Sequence, residues 1–330
     1  MKHIFVIDSN SFLDQPWEMD NIFKEIEEYF GAQNNPDYFI VISKYRRDAI
    51  VLIQKQMDKT KDIDIVRVYA IGGDEIMFDC LNGIAGLPDI ELAIMPSQEG
   101  ICNFLRNFGP EKAALFQNIK SLIQAPVIPT DIINLGRLYG INACIIGFAS
   151  AVPFKNEELA NKIGSDISKL FIFKRMISNL SNLFTALNKR IIAQYYNIMI
   201  DDRDYSGNYA LINVANGPYY NDARITVKEA VPDDGLLDIA LFKSAGFFRN
   251  MRIMKKYSRG KTLSNYSIHL RAKKITIKSD ELIWIQLDGE FFQDNQLAIE
   301  VVPGAMPIAA VNNLTYANSG SRKKGISNEK

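Results

Sequence analysis

One break in an apolar run constrains this chain more than any other feature. The stretch Asp64-Ile65-Val66-Arg67-Val68-Tyr69-Ala70-Ile71 is rich in β-branched residues, the composition of a buried strand. Gly72-Gly73-Asp74 interrupts it, and a helix-compatible stretch, Glu75-Ile76-Met77-Phe78-Asp79-Cys80-Leu81, follows. A strand that feeds a glycine turn and then a helix is where open α/β sheets hold phosphates. Backbone N–H groups and the helix dipole there both face an anion. The same turn also serves as a plain strand-to-helix connection, so it has to be weighed with the rest of the chain.

Strands and helices alternate around this turn. Residues 2–7 read as a first strand ending in the polar turn Asp8-Ser9-Asn10-Ser11, which is rich in caps and phosphate donors. Ile22, Phe23, Ile26, Tyr29 and Phe30 have helical spacing over residues 17–30. Residues 37–43 form a second strand. Residues 46–57 form a helix with Ala49, Ile50, Ile53 and Met57 on one face. Leu87-Pro88 closes the helix after the glycine turn, and residues 91–95 are a fourth strand ending at Pro96. This alternation predicts a parallel, doubly wound sheet over the first 125 residues. The loops at 8–11, 43–46, 72–75 and 96–103 then share one sheet edge, where a ligand belongs.

The pattern changes after Ala125. Pro126, Pro129 and Pro153 punctuate short apolar runs such as Ala143-Cys144-Ile145-Ile146. Residues 156–187 carry a helical apolar stripe, read as core. Strand-like runs recur at 190–200, 209–214, 237–242, 266–277, 282–287 and 297–302, which predicts an antiparallel sandwich or barrel. Residues 247–257 read as a helix whose basic face (Arg249, Arg252, Lys255, Lys256) is solvated. Residues 317–330 read as a disordered tail.

A chain of 330 residues is long enough for two domains. A formal net charge of zero argues against a nucleic-acid partner. Cys80, Cys102 and Cys144 match no metal spacing and read as reduced thiols. No apolar run approaches a membrane span, and the opening residues read as a strand rather than a signal peptide. These features together predict a cytoplasmic protein. His3 and His269 have no visible partner in the sequence and read as structural or surface residues.

Two acidic motifs lie downstream: Val231-Pro232-Asp233-Asp234-Gly235-Leu236 and Leu287-Asp288-Gly289-Glu290, with Asn216-Gly217 before the first. In this order, with Gly72-Gly73-Asp74, they resemble the bacterial diacylglycerol kinase and sphingosine kinase-like family of soluble lipid kinases. The resemblance runs from Lys2 to about Ala310. It implies a phosphofructokinase or NAD kinase-like α/β nucleotide domain (residues 1–125) and a β-sandwich substrate domain (residues 126–302). Residues 303–316 would pack back on the first domain, and the active site would lie in the cleft between the two. It implies an ATP- and magnesium-dependent kinase acting on a diacylglycerol-like hydroxyl at a membrane surface, and is compatible with a homodimer. Asp8, Ser9, Asn10 and Ser11 match the first nucleotide loop. Ser43 matches a threonine near the nucleotide, Gly72, Gly73 and Asp74 match the phosphate loop, and Arg106 matches an arginine after the second loop. Asp131 matches an aspartate at the domain boundary. Val231, Asp234 and Leu236 match a structural magnesium site of two carbonyls and a carboxylate, an oxygen-only set that suits the ion. Glu290 matches the catalytic base, Asp288 its acidic neighbour, and Asp74 a carboxylate holding the magnesium of the phosphates.

The pattern departs from the family at three loops. Glu75 and Ile76 stand where the family has Gly-Thr. A glutamate charge about 4 Å from a phosphate costs about 4 kcal/mol at an effective dielectric near 20, roughly a thousandfold in affinity. Glu75 could instead serve as an extra magnesium ligand beside Asp74. Glu99 adds charge to a second loop that lacks the family's Asn-Asp pair. The glycine-rich segment after Asn216-Gly217 has become Pro218-Tyr219-Tyr220-Asn221-Asp222-Ala223. Two alternatives to an active lipid kinase follow: an inactive homologue kept as a binding or regulatory protein, and an NAD kinase, which shares the glycine turn.

Overall fold

The computed structural model describes residues 1–32, 37–59, 65–97, 102–147, 194–220, 224–225, 227–246, 249–250, 252, 256 and 266–319. The helix expected over 156–187, most of that over 247–257 and the tail beyond 319 lie outside the described residues.

The leading part alternates β1 (Lys2–Asp8), α1 (Pro16–Ala32), β2 (Tyr38–Ser43), α2 (Asp48–Met57), β3 (Val66–Gly72), α3 (Asp74–Ile84) and β4 (Ile90–Pro96). These strands pair in parallel in the order β4-β3-β1-β2. β3 is buried along its whole length, as a strand covered by helices on both faces should be. α1 turns Ile22, Ile26 and Phe30 into the core, and α2 turns in Ala49 and Ile53, which accounts for their helical spacing. His3 has a partner after all: its Nδ1 shares a 2.7 Å hydrogen bond with the buried Tyr69 hydroxyl.

Past β4 the chain runs through two 3₁₀ segments, Phe104–Phe108 and Pro110–Gln117, split by left-handed Gly109, and then α4 (Ile119–Gln124). The remaining strands are β5 (Val127–Asn134), β6 (Tyr139–Gly140), β7 (Ala143–Gly147), β8 (Gln194–Ile200), β9 (Arg203–Asp204), β10 (Gly207–Ala215), β11 (Tyr219–Tyr220), β12 (Arg224–Ile225), β13 (Leu237–Lys243), β14 (Ser267–Ala272), β15 (Lys274–Leu287) and β16 (Glu290–Ala309). They pair antiparallel among themselves. Their inward residues, among them Ile198, Ile212, Ile239, Ile275, Ile285 and Ile299, form a second core. The architecture is therefore an NAD kinase-like α/β part followed by a β-sandwich.

Three expected strands are divided differently. The run 266–277 breaks at Lys273, because Asp201 Oδ1 accepts the N–H groups of Lys273 and Lys274 (3.2 and 3.1 Å) and bends the chain from β14 into β15. The run 282–287 continues β15. The run 297–302 is the middle of a single 20-residue strand, β16.

β16 joins the two parts. Its first half pairs with β15, its second half pairs with β5, and Ile308 pairs in parallel with Leu92 of β4. The register shift at residues 302–306 bends it, with Gly304 left-handed at the bend. Beyond it, Ile308, Ala310, Val311 and Tyr316 lie in the core of the α/β part. The Tyr316 ring packs 4.7 Å from Phe108, and its hydroxyl shares a 2.5 Å hydrogen bond with buried Thr130. Tyr316→Ala removes both contacts and should cost about 3–5 kcal/mol in a urea unfolding curve. Tyr316→Phe should lose only about 1–2 kcal/mol.

Candidate functional site

The glycine turn sits at the carboxyl edge of the parallel strands, where the strand order reverses between β1 and β3. Gly72 has φ +146°, and a Cβ there would lie 2.9 Å from Ser11 Oγ and 3.1 Å from Asp8 Cβ. Glycine thus lets the first loop close against the third strand. Nothing lies within 4 Å of a Cβ built on Gly73, so that position faces open space at the edge. Asp8 accepts from the Asn10 N–H (3.0 Å) and the Ser11 hydroxyl (2.6 Å). Ser9 donates to the Ser43 carbonyl (2.8 Å) and Asn10 to that of Lys44 (3.2 Å). The loops after β1, β2 and β3 are therefore one assembly, and Asp8, Ser9, Asn10, Ser11, Ser43, Gly72 and Gly73 all belong to it.

Asp74 opens α3. Its carboxylate accepts the Asn103 backbone N–H (2.9 Å) and side-chain amide (2.5 Å), which ties the loop after β4 to the same edge. Burial pushes the Asp74 carboxyl up to about 6, against the pull of these two hydrogen bonds, and the nearby Asp288 charge adds to the rise. Arg106, half-buried in the 3₁₀ segment beyond, lines a 160 Å³ hollow with Pro96, Cys102, Leu105, Ala113, Ala114 and Gln117.

α3 carries the glycine turn toward the sandwich. Phe78 belongs to the second core, and Asn82 exchanges hydrogen bonds with the Tyr139 backbone (2.9 Å each). On the same stretch, Asp79 accepts the Arg47 N–H (2.7 Å). Sequence reasoning passed over Asp79, although a carboxylate between Phe78 and Cys80 on an apolar helix is a signal of buried pairing.

The late acids arrive on a tight turn. Leu287 and Glu290 are paired, with Asp288 (φ +47°) and Gly289 (φ +95°) between them, the left-handed pair that an Asp-Gly hairpin favours. Asp288 turns inward and accepts the N–H groups of Ile141 (2.5 Å), Asn142 (3.1 Å) and Ala143 (2.8 Å). Burial raises its carboxyl above the ordinary range, against these bonds. Glu290 is 5% exposed. Its Oε1 accepts from Arg46 Nε (3.0 Å) and Nη2 (2.8 Å), and its Oε2 from Arg47 Nη2 (2.8 Å). Arg47 also stacks 4.7 Å over the Phe78 ring. The sequence places Arg46 at the end of an edge loop and both arginines at the start of a helix, with no sign of their pairing to Glu290. Arg47 is left-handed (φ 69°), so α2 starts two residues later than expected, at Asp48.

The turn at 231–236 is held by hydrogen bonds and an ion pair. Asp234 Oδ1 accepts the Leu236 N–H (3.1 Å), and its Oδ2 is paired with the Arg271 guanidinium. Asp233 accepts from the Ser319 hydroxyl (2.9 Å). Asp131, between the two parts, accepts the N–H groups of Gly235 (2.6 Å) and Gly304 (2.8 Å) and donates its own N–H to the Pro232 carbonyl (2.8 Å). Among the described residues, no group of three or more acidic, histidine or cysteine side chains could hold a metal. The expected set at Val231, Asp234 and Leu236 is two backbone carbonyls and one carboxylate, and that carboxylate is engaged by Arg271. The positive charge beside Asp234 comes from Arg271, which also faces Asp238 at 3.8 Å.

Two outcomes follow from these charges. Arg271→Ala should cost about 1–3 kcal/mol in unfolding free energy, read from urea curves. The second concerns Asp79, whose carboxyl burial pushes up to about 6, against the Arg47 N–H and charge and with Glu290 and Glu75 adding to the rise. A raised folded-state value stabilises the fold below the ordinary carboxylate range, and that contribution disappears as pH climbs through about 6. Asp79→Asn removes the slope. Between pH 4 and 7 its unfolding free energy should gain on the wild type by on the order of 2 kcal/mol, read from urea curves at both ends.

The family model for the YegS C-terminal NAD kinase beta sandwich-like domain matches residues 174–310. Two relatives from Staphylococcus aureus strains MRSA252 and JH9, each named "Putative lipid kinase", are 29% identical over 283 residues. That is 83% of this chain and 87% of theirs. A solved diacylglycerol kinase from Bacillus anthracis str. Sterne is similar in fold, with a TM-score of 0.65 over 95% of this chain and 98% of that one, at 22% identity. No described helix is long and apolar enough to cross a membrane. Along most of its length the chain thus resembles proteins named lipid kinases, and its strand-rich part matches the YegS C-terminal domain.

Proposed function

We propose that this chain transfers a phosphoryl group from Mg-ATP to the hydroxyl of a diacylglycerol-like lipid at a membrane surface. The observation that carries the reading is Arg47. It bonds Asp79 on the helix that follows the glycine turn and Glu290 at the start of β16. On this reading the edge suited to phosphates and the late acid, both bonded to Arg47, face each other across one groove.

The nucleotide phosphates would lie over Gly73, where the edge is open, with Asp8, Ser9, Ser11 and Ser43 around them and Asp74 and Glu75 toward the metal. Bound Mg-ATP supplies the phosphoryl donor and the cation that offsets its charge. The protein's part is to orient the acceptor hydroxyl and take its proton. Glu290 is the group on the groove that can do so once its arginine bonds loosen. Asp288, held by three backbone N–H groups, fixes the turn that aims Glu290. The lipid kinase names of the relatives favour a lipid acceptor over NAD.

A second reading, a lipid or nucleotide binder without transfer, is supported by the three N–H bonds on Glu290 and by Glu75 at the first turn of α3. Radiolabelled transfer from Mg-ATP to mixed diacylglycerol vesicles, with NAD as a parallel acceptor, separates the readings. Transfer to lipid should fall by roughly 10²–10⁴ in Glu290→Ala. Transfer that survives that substitution removes Glu290 from the role. No transfer by the wild type, with nucleotide affinity restored up to roughly a thousandfold by Glu75→Gly, would establish the binder.

A further inference from the structure

We infer that Arg46 and Arg47 form the phosphate-binding guanidinium pair of this sheet edge, and that Glu290 occupies them until a phosphate-bearing ligand arrives. The inference rests on the reading that phosphates enter at this edge, and it assigns the contact to residues outside the glycine turn.

Four observations support it. First, the edge is acidic. Asp8 ends the strand beside Gly72, and Asp74, Glu75 and Asp79 follow Gly73 on α3, so a phosphate at this edge needs cationic partners. Second, the arginines sit in the same assembly. Their loop is fastened to the first loop by the Ser9–Ser43 and Asn10–Lys44 bonds. Third, the partners differ in freedom. The Arg46 and Arg47 side chains are 42% and 37% exposed, against 6% for Glu290. Glu290 is fixed by the Asp288–Gly289 turn, whereas the arginines reach it from the solvent side. Fourth, Arg47 keeps a left-handed backbone that a non-glycine residue adopts at a cost. The backbone bond to Asp79 and the stack on Phe78 maintain it, and its effect is to hold a guanidinium over the groove.

A planar guanidinium fork accepts a carboxylate or a phosphate in the same way, through charge-assisted N–H bonds. In the ligand-free chain Glu290 provides those oxygens. Withdrawing the arginines leaves Glu290 buried beside Asp79 without its cations, which opposes the exchange. The pair is therefore a phosphate site under internal competition. The wild type should bind phosphate weakly, and removing the competing charge should reveal the full affinity.

The test is calorimetric titration of the whole chain with inorganic tripolyphosphate in the presence of EDTA, with circular dichroism melts to establish that each variant is folded. Glu290→Gln should bind at least tenfold more tightly than the wild type. Arg46→Ala/Arg47→Ala should show no binding. Arg47→Gly, which keeps the left-handed backbone and so the fold, should bind at least fivefold more weakly than the wild type, or not detectably where the wild type is itself undetectable. Combined with Glu290→Gln, it should abolish the tenfold gain. Equal affinities in the wild type and Glu290→Gln, no binding by either, or full affinity in the arginine variants overturns the inference. The titration uses no acceptor and no transfer. A chain that binds tripolyphosphate as expected but never phosphorylates a lipid loses the kinase reading alone. A chain that phosphorylates lipid with its arginine variants unaffected in tripolyphosphate binding loses this inference alone.

Discussion

One strand belongs to both parts of the molecule, and the rest of the arrangement depends on it. β16 begins at Glu290 in the groove, runs along the sandwich and ends beside β4 in the α/β sheet. A strand that crosses from one unit to the other ties their geometries together through its own backbone hydrogen bonds. The bend at residues 302–306 makes this feasible, and Asp131 secures it by taking N–H groups from Gly304 on the strand and Gly235 on the acidic turn. A buried carboxylate satisfied by backbone donors on separate segments fixes their relative positions more firmly than an apolar contact would, since losing either bond leaves a polar group unpaired.

The second tie is α3. A helix that starts at the carboxyl edge of the parallel sheet and inserts Phe78 into the sandwich core ties the glycine turn to the second part. Its carboxylates then stand close to Asp288 and Glu290, and burial makes that proximity costly. The structure answers with guanidinium groups and backbone donors: Arg46 and Arg47 for Glu290, Asn103 for Asp74, and three consecutive N–H groups for Asp288. At the other acidic turn, Arg271 does the same for Asp234. At Asp234, where the family resemblance points to magnesium, an internal guanidinium thus supplies positive charge.

The Gly72-Gly73-Asp74 break, the alternating strands and helices and the Asp-Gly turn were legible because each is a local signal. A β-branched run, a 3.6-residue spacing and a two-residue hairpin depend on neighbours in sequence. The strand boundaries at 273 and 297 were not legible. Asp201 breaks the first from 72 residues away, and β16 continues through residues that read locally as turns because partners on both sides supply its ladder.

The sequence by itself determined which residues could sit at a phosphate edge and which acids could accompany them, because turn chemistry and residue type are properties of short stretches. Only the tertiary structure decided what those groups touch. That Glu290 meets two arginines 243 and 244 residues away, and that Asp234 meets Arg271, follows from how β16 and α3 join the two parts. Ion pairing depends on distance in space and on burial, and spacing along the chain encodes neither.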